Sequence, residues 1–404
     1  MAVTPPAPPR TDATVTLLAS AAFFSAAALR ICDSLLPRLA RDFSVTPGAA
    51  GWVVIGFSTA YGLMQLVFGP LGDRYGKARL ICAALFGCAA GSLASALAPG
   101  FDTLVASRVV WGMAAAGIIP LAMAWIGDAV PYEQRQATLA RFLTGTLSGM
   151  MAGQLAGGLF ADSGVGWRGA FLTLAAGYLV VAVLMLARIR SAPPPAVAAS
   201  GGAAGFLSQM GAVLQVRWSR VVLGSALVEG VFLLGPMTYL PAYLHQRHQL
   251  SLTTASALLA LYAVGGIVYA LTARHIVRRF GERRMAAAGG VLMGASFLAL
   301  LVSPVWQLAA PIALLLGFGT YLYHNTLQTH ATQMAPAVRG TSVALFAFCL
   351  FTGQAIGVSV AGFLFDHVGS TPLLLVPAVV LPLAGWRLAR ALRLRRTSAD
   401  TAAP

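Results

Sequence analysis

A chain of 404 residues that is 58% hydrophobic and only 10% charged lies outside the range of soluble domains, which carry about a quarter charged residues. Its net charge of +15 comes from 27 Lys and Arg against 12 Asp and Glu. The arginines are scattered over seven separate segments, which excludes a nucleic-acid-binding face. All four cysteines (Cys32, Cys82, Cys88, Cys349) fall in apolar stretches. They form neither a disulfide framework nor a metal spacing, and no metal or other cofactor is expected.

A helix crosses the bilayer with roughly 20 apolar residues, and twelve such stretches use up nearly the whole chain. They are Val15–Pro37, Gly51–Leu71, Leu80–Pro99, Leu104–Ile126, Phe142–Ala161, Gly169–Ala187, Val221–Leu244, Leu252–Ala273, Met285–Val302, Val305–Met334, Thr341–Phe365 and Thr371–Leu392. All are predicted helices, because hydrocarbon offers free backbone groups no partner and the runs are too long for barrel strands. The first is expected to be a retained span. It is too long for a signal peptide, lacks a basic leader and has no small-residue cleavage site.

The N-terminus, the loops after even-numbered spans and the C-terminus, counted with the arginines at the end of span twelve, together hold 21 of the 27 Lys and Arg. Basic loops stay cytoplasmic. Both termini are therefore expected in the cytoplasm of a bacterial inner membrane, with the arginines at anionic headgroups.

Ionisable groups inside spans are costly unless they face protein or water, so the few present are informative. Span one carries Arg30 and Asp33, close enough on one helix to neutralise each other; with Arg108 at similar depth, Asp33 is placed to bridge two arginines. Between spans two and three runs Gly69-Pro70-Leu71-Gly72-Asp73-Arg74-Tyr75-Gly76-Lys77-Ala78-Arg79. Gly69 and Gly72 suit close helix approach, Gly76 a tight turn, and Asp73 sits among Arg74, Lys77 and Arg79. Span five repeats glycine every four residues at Gly145, Gly149, Gly153 and Gly157, followed by Gly158. Successive members drift only about 40° around a helix, giving a smooth strip for close packing.

Pro193-Pro194-Pro195 and Ser200-Gly201-Gly202 within Ser191–Gly205 suit a flexible linker. It divides six spans from six. The predicted organisation is a tail (1–14), a six-helix bundle (15–190), a linker (191–216), a second bundle (217–392) and a tail (393–404). Span seven places Glu229 near mid-membrane with no cation within a turn on its own helix. In span ten Tyr321, His324, Asn325 and Gln328 share one face by their i, i+3, i+4, i+7 spacing, and His324 reads as a polar cavity residue rather than a metal ligand. His330 lies a turn and a half nearer the cytoplasm, where it is free to snorkel, and no role is assigned to it.

The halves echo each other at an offset of about 200 to 205 residues. Leu36-Pro37 recurs as Leu240-Pro241, and Arg74-Tyr75-Gly76 as Arg279-Phe280-Gly281. Gly153-Gln154-x-x-Gly157 recurs as Gly353-Gln354-x-x-Gly357, and Gly158-x-x-x-Asp162 as Gly362-x-x-x-Asp366. Duplicated six-span halves place a substrate site at their interface and let it open to either side in turn.

The loop from Gly69 to Arg79 resembles the hallmark loop of the major facilitator superfamily, and Leu104-x-x-x-Arg108-x-x-x-Gly112 resembles its fourth-span motif. Gly149-x-x-x-Gly153-Gln154-x-x-Gly157-Gly158 is similar to the fifth-span motif of its 12-span drug:proton antiporters, with Gln154 where proline usually stands. The resemblance implies an all-α membrane protein of twelve transmembrane helices in two pseudo-symmetric six-helix bundles. It also implies that spans one, four, seven and ten line a central cavity, and that Asp73 latches the cytoplasmic side against the start of span eleven, near Gly340-Thr341.

The expected function is proton-coupled secondary transport that exports small amphipathic compounds. Asp33 and Glu229 are the proton-linked carboxylates, Arg30 and Arg108 their electrostatic partners, and Tyr321, His324, Asn325 and Gln328 the polar substrate contacts. The expected partners are a small-molecule substrate, protons and the lipid bilayer, with the chain acting as a monomer. Uptake or exchange of a small organic anion is the alternative, with the two arginines as carboxylate binders. A non-transporting receptor has no soluble output domain to support it. No zinc-binding His-Glu-x-x-His, Gly-x-Ser-x-Gly or phosphate-binding loop supports an enzyme or an ATP-driven pump.

Overall fold

With no water to satisfy them, the backbone groups of an apolar chain pair within helices. The computed structural model, which describes residues 9–190 and 203–400, contains no strand among them. We number the long helices α1 (Pro9–Asp42), α2 (Trp52–Tyr75), α3 (Lys77–Ala96), α4 (Phe101–Ala129), α5 (Tyr132–Asp162) and α6 (Gly166–Arg190) in the first half. The second half holds α7 (Arg217–His248), α8 (252–280), α9 (282–302), α10 (Trp306–Gln333), α11 (Arg339–His367) and α12 (Ser370–Asp400).

Among the described residues, ten segments are long and apolar enough to cross a membrane. Two details bring the helices to twelve. The segment Leu252–Val302 turns at Gly281, whose φ of 69° lies in the left-handed region, and so holds both α8 and α9. Helix α5 falls short in hydropathy because glycines, threonines and Gln154 interrupt its leucines. Gly76, the counterpart of Gly281, has a φ of 86° and joins α2 to α3. A residue with Cβ is disfavoured at both corners.

Each half is stitched by glycine. A methyl added at Gly145, Gly149, Gly153 or Gly157 of α5 would lie 2.2–2.7 Å from the carbonyl oxygen of Ala19, Phe23, Ala27 or Ile31 on α1. The repeat preserves this register: a methyl added at Gly353 or Gly357 of α11 would lie 2.3 Å from the Leu227 or Val231 carbonyl oxygen of α7. Small residues let the backbones approach within van der Waals contact. The peripheral helices pair as α3 with α6, through Ser92 Oγ donating to the Phe171 carbonyl at 2.8 Å. Helix α9 pairs with α12 where Gly290 meets Gly385.

The halves meet along two seams. Tyr61 of α2 packs on Phe351 of α11 with ring centroids 4.5 Å apart. On the other seam, Gly158 of α5 lies against Ser256 and Leu252 of α8.

Two helices depart from regularity. Helix α4 is interrupted between Ala115 and Ile118, where Gln65 Nε2 of α2 donates to the Ala116 carbonyl at 3.1 Å. In α7 a π-turn at Gly230–Leu234 follows Glu229 directly, and the helix is broken again before Leu240. Gly230 and Gly235 there press on the backbone of α11. The segment expected as a linker is helical over Ala203–Gln215. Phe206, Met210 and Val213 share one face of that helix, and Met210 and Val213 pack on the core. Residues 191–202, including the proline and glycine runs, lie outside the described residues.

Candidate functional site

The intramembrane charges lie where α1, α4, α7 and α10 carry them inward. Arg30 Nη1 donates to Asp33 Oδ2 at 3.1 Å, and both side chains are buried. The Arg30 guanidinium also lies 5.8 Å from the centre of the Tyr262 ring of α8, in the other half. Arg30 forms part of the wall of a small central cavity, with Met151 and Gln154 of α5, Met237 of α7, Tyr262 of α8 and Leu316 of α10. Both halves therefore contribute to the wall.

Arg108 stands elsewhere. It is 1% exposed and is sandwiched by aromatic rings, 4.1 Å from the Phe57 centroid and 4.6 Å from that of Trp111. Its Nε donates to the Val53 carbonyl at 3.2 Å and its Nη2 to the Ala28 carbonyl at 3.4 Å. The expected bridge of Asp33 between two arginines is absent: Asp33 is bonded to Arg30, while Arg108 ties α4 to the backbones of α1 and α2. Cation–π contact and dispersion hold a guanidinium in such a place, so it sits behind the cavity wall.

In the second half, His324 Nδ1 of α10 lies 2.9 Å from Glu229 Oε1 of α7. Glu229 is 2% exposed and its Oε2 is buried with no hydrogen-bond partner. The His324 ring also packs against Phe346 of α11 at 5.7 Å. Asn325 Nδ2 donates to the Tyr269 hydroxyl of α8 at 2.8 Å, and Tyr321 stacks on the same Tyr269 ring. The four-residue stripe expected on α10 is thus its less buried face, directed between α7 and α8 at His324 and Asn325, with Gln328 exposed. None of these four residues belongs to the wall of the central cavity, to which α10 contributes Ala313 and Leu316 instead. The stripe is set by the 3.6-residue period, and the cavity opens nearer the start of the helix.

Around the loop motif, Gly72 is pressed against Leu121, as close approach requires, but Gly69 has open space around it. Gly69 instead borders a groove between the end of α2 and the start of α11, with Pro70, Arg339 and Thr341. Lys77 pairs with Asp128 of α4, Arg74 lies over the Tyr75 ring at 5.3 Å, and Arg79 is exposed. The Asp73 side chain, and with it the expected latch, lies outside the described residues. The linker helix reaches the groove, where Thr341 Oγ1 donates to Gln209 Oε1 at 2.6 Å.

Three features escaped the sequence reading. Gln154 Nε2 donates to Ser34 Oγ at 2.8 Å, and Ser256 Oγ of α8 donates to the same oxygen at 2.7 Å, so a buried polar bridge crosses one seam. The departure from proline at position 154 was its only signal. His330 is gathered with Glu282 at 3.3 Å, Arg395 at 3.3 Å and Trp218. Asp162 and Asp366 make contacts across the seams; their recurrence in the two halves was visible, and their partners were not.

The model of the Major Facilitator Superfamily matches residues 18–280 and 237–404. The uncharacterised MFS-type transporter YceJ of Bacillus subtilis is 23% identical over 343 residues, covering 84% of this chain and 87% of that one. An MFS-type efflux pump of Mycolicibacterium smegmatis is 27% identical over 381 residues, 87% of each chain. Among solved structures, the bacterial homologue of the human lysosomal transporter Spinster, inward-facing and unoccupied, superposes with a TM-score of 0.70 at 19% identity, covering 95% of this chain and 94% of that one.

Proposed function

This chain belongs to the major facilitator superfamily, and from that membership we propose that it is a proton-coupled exporter of small amphipathic compounds working by alternating access. The carrying observation is the Glu229–His324 pair. One oxygen of a buried carboxylate is held by an imidazole and the other has no hydrogen-bond partner, so a proton has a vacant oxygen to meet and the occupied oxygen has a neighbour ready to respond. Protonation ends Glu229's role as an anionic acceptor and alters its hold on His324. That joins proton occupancy to the α7–α10 contact beside the π-turn, and π-turns recur at functional sites.

Asp33 plays the matching part in the first half. Its neutralisation frees the Arg30 guanidinium on the cavity wall, and the return of its charge reclaims it. The methionines and Tyr262 on that wall suit an apolar, adaptable substrate, and the efflux-pump relative supports export. The proposed setting is a bacterial inner membrane with both termini cytoplasmic, where the basic segments meet anionic lipid, and the chain acts as a monomer.

A second reading, transport of a small organic anion, is favoured by one observation: Arg30 borders the cavity while Asp33 does not. The experiment is a reconstituted-vesicle assay reporting proton movement on addition of candidate compounds. Export in exchange for protons, lost in Asp33→Asn and Glu229→Gln proteins that still insert, is the expected result. Full pH-dependent transport by both variants refutes the assignment.

A further inference from the structure

On the face opposite the termini, two carboxylates reach across the seams in opposite directions. Asp162 ends α5 and accepts from Leu252 N at 3.3 Å, Thr253 N at 2.7 Å and Thr253 Oγ1 at 2.7 Å at the start of α8. Asp366, near the end of α11, accepts from Gly48 N at 2.9 Å and Thr46 Oγ1 at 2.5 Å, at the turn that opens the Pro47–Gly72 segment. Asp366 follows Asp162 by 204 residues, and Leu252 follows Gly48 by the same 204. The two contacts are therefore one contact made twice, first half onto second and second half onto first.

The chemistry suits the place. The first amides of a helix lack intrahelical partners, and the partial positive charge there favours an anion. One turn before each aspartate a glycine brings the backbones together: a methyl at Gly158 would lie 2.4 Å from Ser256 Oγ, and one at Gly362 would lie 3.0 Å from Gly48 Cα. Both contacts join helices of different halves, so they exist only while this face is closed. Asp162 is exposed and Asp366 half-buried, so water is at hand to solvate each carboxylate when its contact breaks. A bond that can be broken at modest cost is a latch rather than a permanent staple.

We propose that Asp162 and Asp366 are a matched pair of latches that holds the face opposite the termini shut, each gripping the first turn of a helix in the other half. The inference rests on the alternating access proposed above, but on neither proton coupling nor the substrate.

The test is thiol labelling. Leu259 borders the central cavity, and a Leu259→Cys reporter is treated with a membrane-impermeant maleimide in sealed vesicles of each orientation. The protein without that substitution serves as the blank, since its cysteines are largely buried. Asp162→Ala and Asp366→Ala are each expected to speed labelling about fivefold in vesicles exposing the face opposite the termini, and together by roughly the product. Unchanged labelling, or equal acceleration from both faces, overturns the proposal. If the alanine variants do not insert, Thr253→Val removes only the hydroxyl that meets Asp162 and the Gly158 carbonyl across the same seam, and keeps the backbone amides; an acceleration of about twofold on that face supports the latch and none overturns it. Labelling requires no pH gradient and no substrate, so failure here is distinguishable from failure of proton-coupled export.

Discussion

His324 Nδ1 and Glu229 Oε1 lie 2.9 Å apart, linking α10 to α7 inside the second half, and the remaining Glu229 oxygen is buried without a partner. Removing the imidazole with His324→Ala leaves both carboxylate oxygens unsatisfied, at a cost of about 1–3 kcal/mol. The melting temperature in detergent is expected to fall, together with pH-gradient-driven transport. A Glu229→Gln/His324→Gln double variant restores an amide pair, so it is expected to recover the melting temperature and not the transport. Recovery of both separates this pair from the proton.

Arg30 and Asp33 form a buried pair, and breaking such a pair from one side costs about 3–5 kcal/mol while replacing both members is far milder. Asp33→Ala is expected to destabilise strongly, and Arg30→Met/Asp33→Leu to recover most of that loss. Thermal melting of the two purified proteins decides. A double variant no more stable than the single one contradicts the pairing.

Arg108→Lys is expected to lower stability by about 1–2 kcal/mol, because an ammonium cannot reproduce a guanidinium held between Phe57 and Trp111. Its KM for transported compounds is expected to stay within about twofold of the parent, since a group 1% exposed and off the cavity wall makes no substrate contact. A KM raised tenfold at unchanged melting temperature puts Arg108 at the substrate instead.

Gly149→Ala sets a methyl 2.2 Å from the Phe23 carbonyl oxygen, and overpacking of this kind costs about 1–3 kcal/mol. Gly224→Ala on α7 meets nothing within 4 Å and is expected to be neutral or stabilising, since alanine favours helix by roughly 0.5–1 kcal/mol. Comparing the two by melting temperature and membrane yield tests whether the glycine strip acts through contact with α1.

The twelve helices, the duplication and the glycine strip were all legible in the sequence, because hydropathy, repeated motifs and four-residue spacing are local signals. Arg108 was legible only as an anomaly: a charge in a span announces itself, but the rings of Phe57 and Trp111 that enclose it come from tertiary packing. The α10 stripe was read correctly as one face, yet which level of that face meets the cavity depends on how α5 and α8 close over it. The linker helix was masked by the proline and glycine runs before it. The reach of Asp162 and Asp366 was hidden because most of their partners are backbone amides, which every residue but proline carries.

The corners at Gly76 and Gly281 have a mechanical consequence. Each passes the chain from one long helix to the next in a single residue, leaving no slack between α2 and α3 or between α8 and α9. A tilt imposed on α2 or α8, the helices along the seams, is carried directly to its peripheral neighbour. The outer helices are thus tethered to the seams rather than forming a passive jacket, so a displacement of the lipid-facing surface is felt where the halves meet.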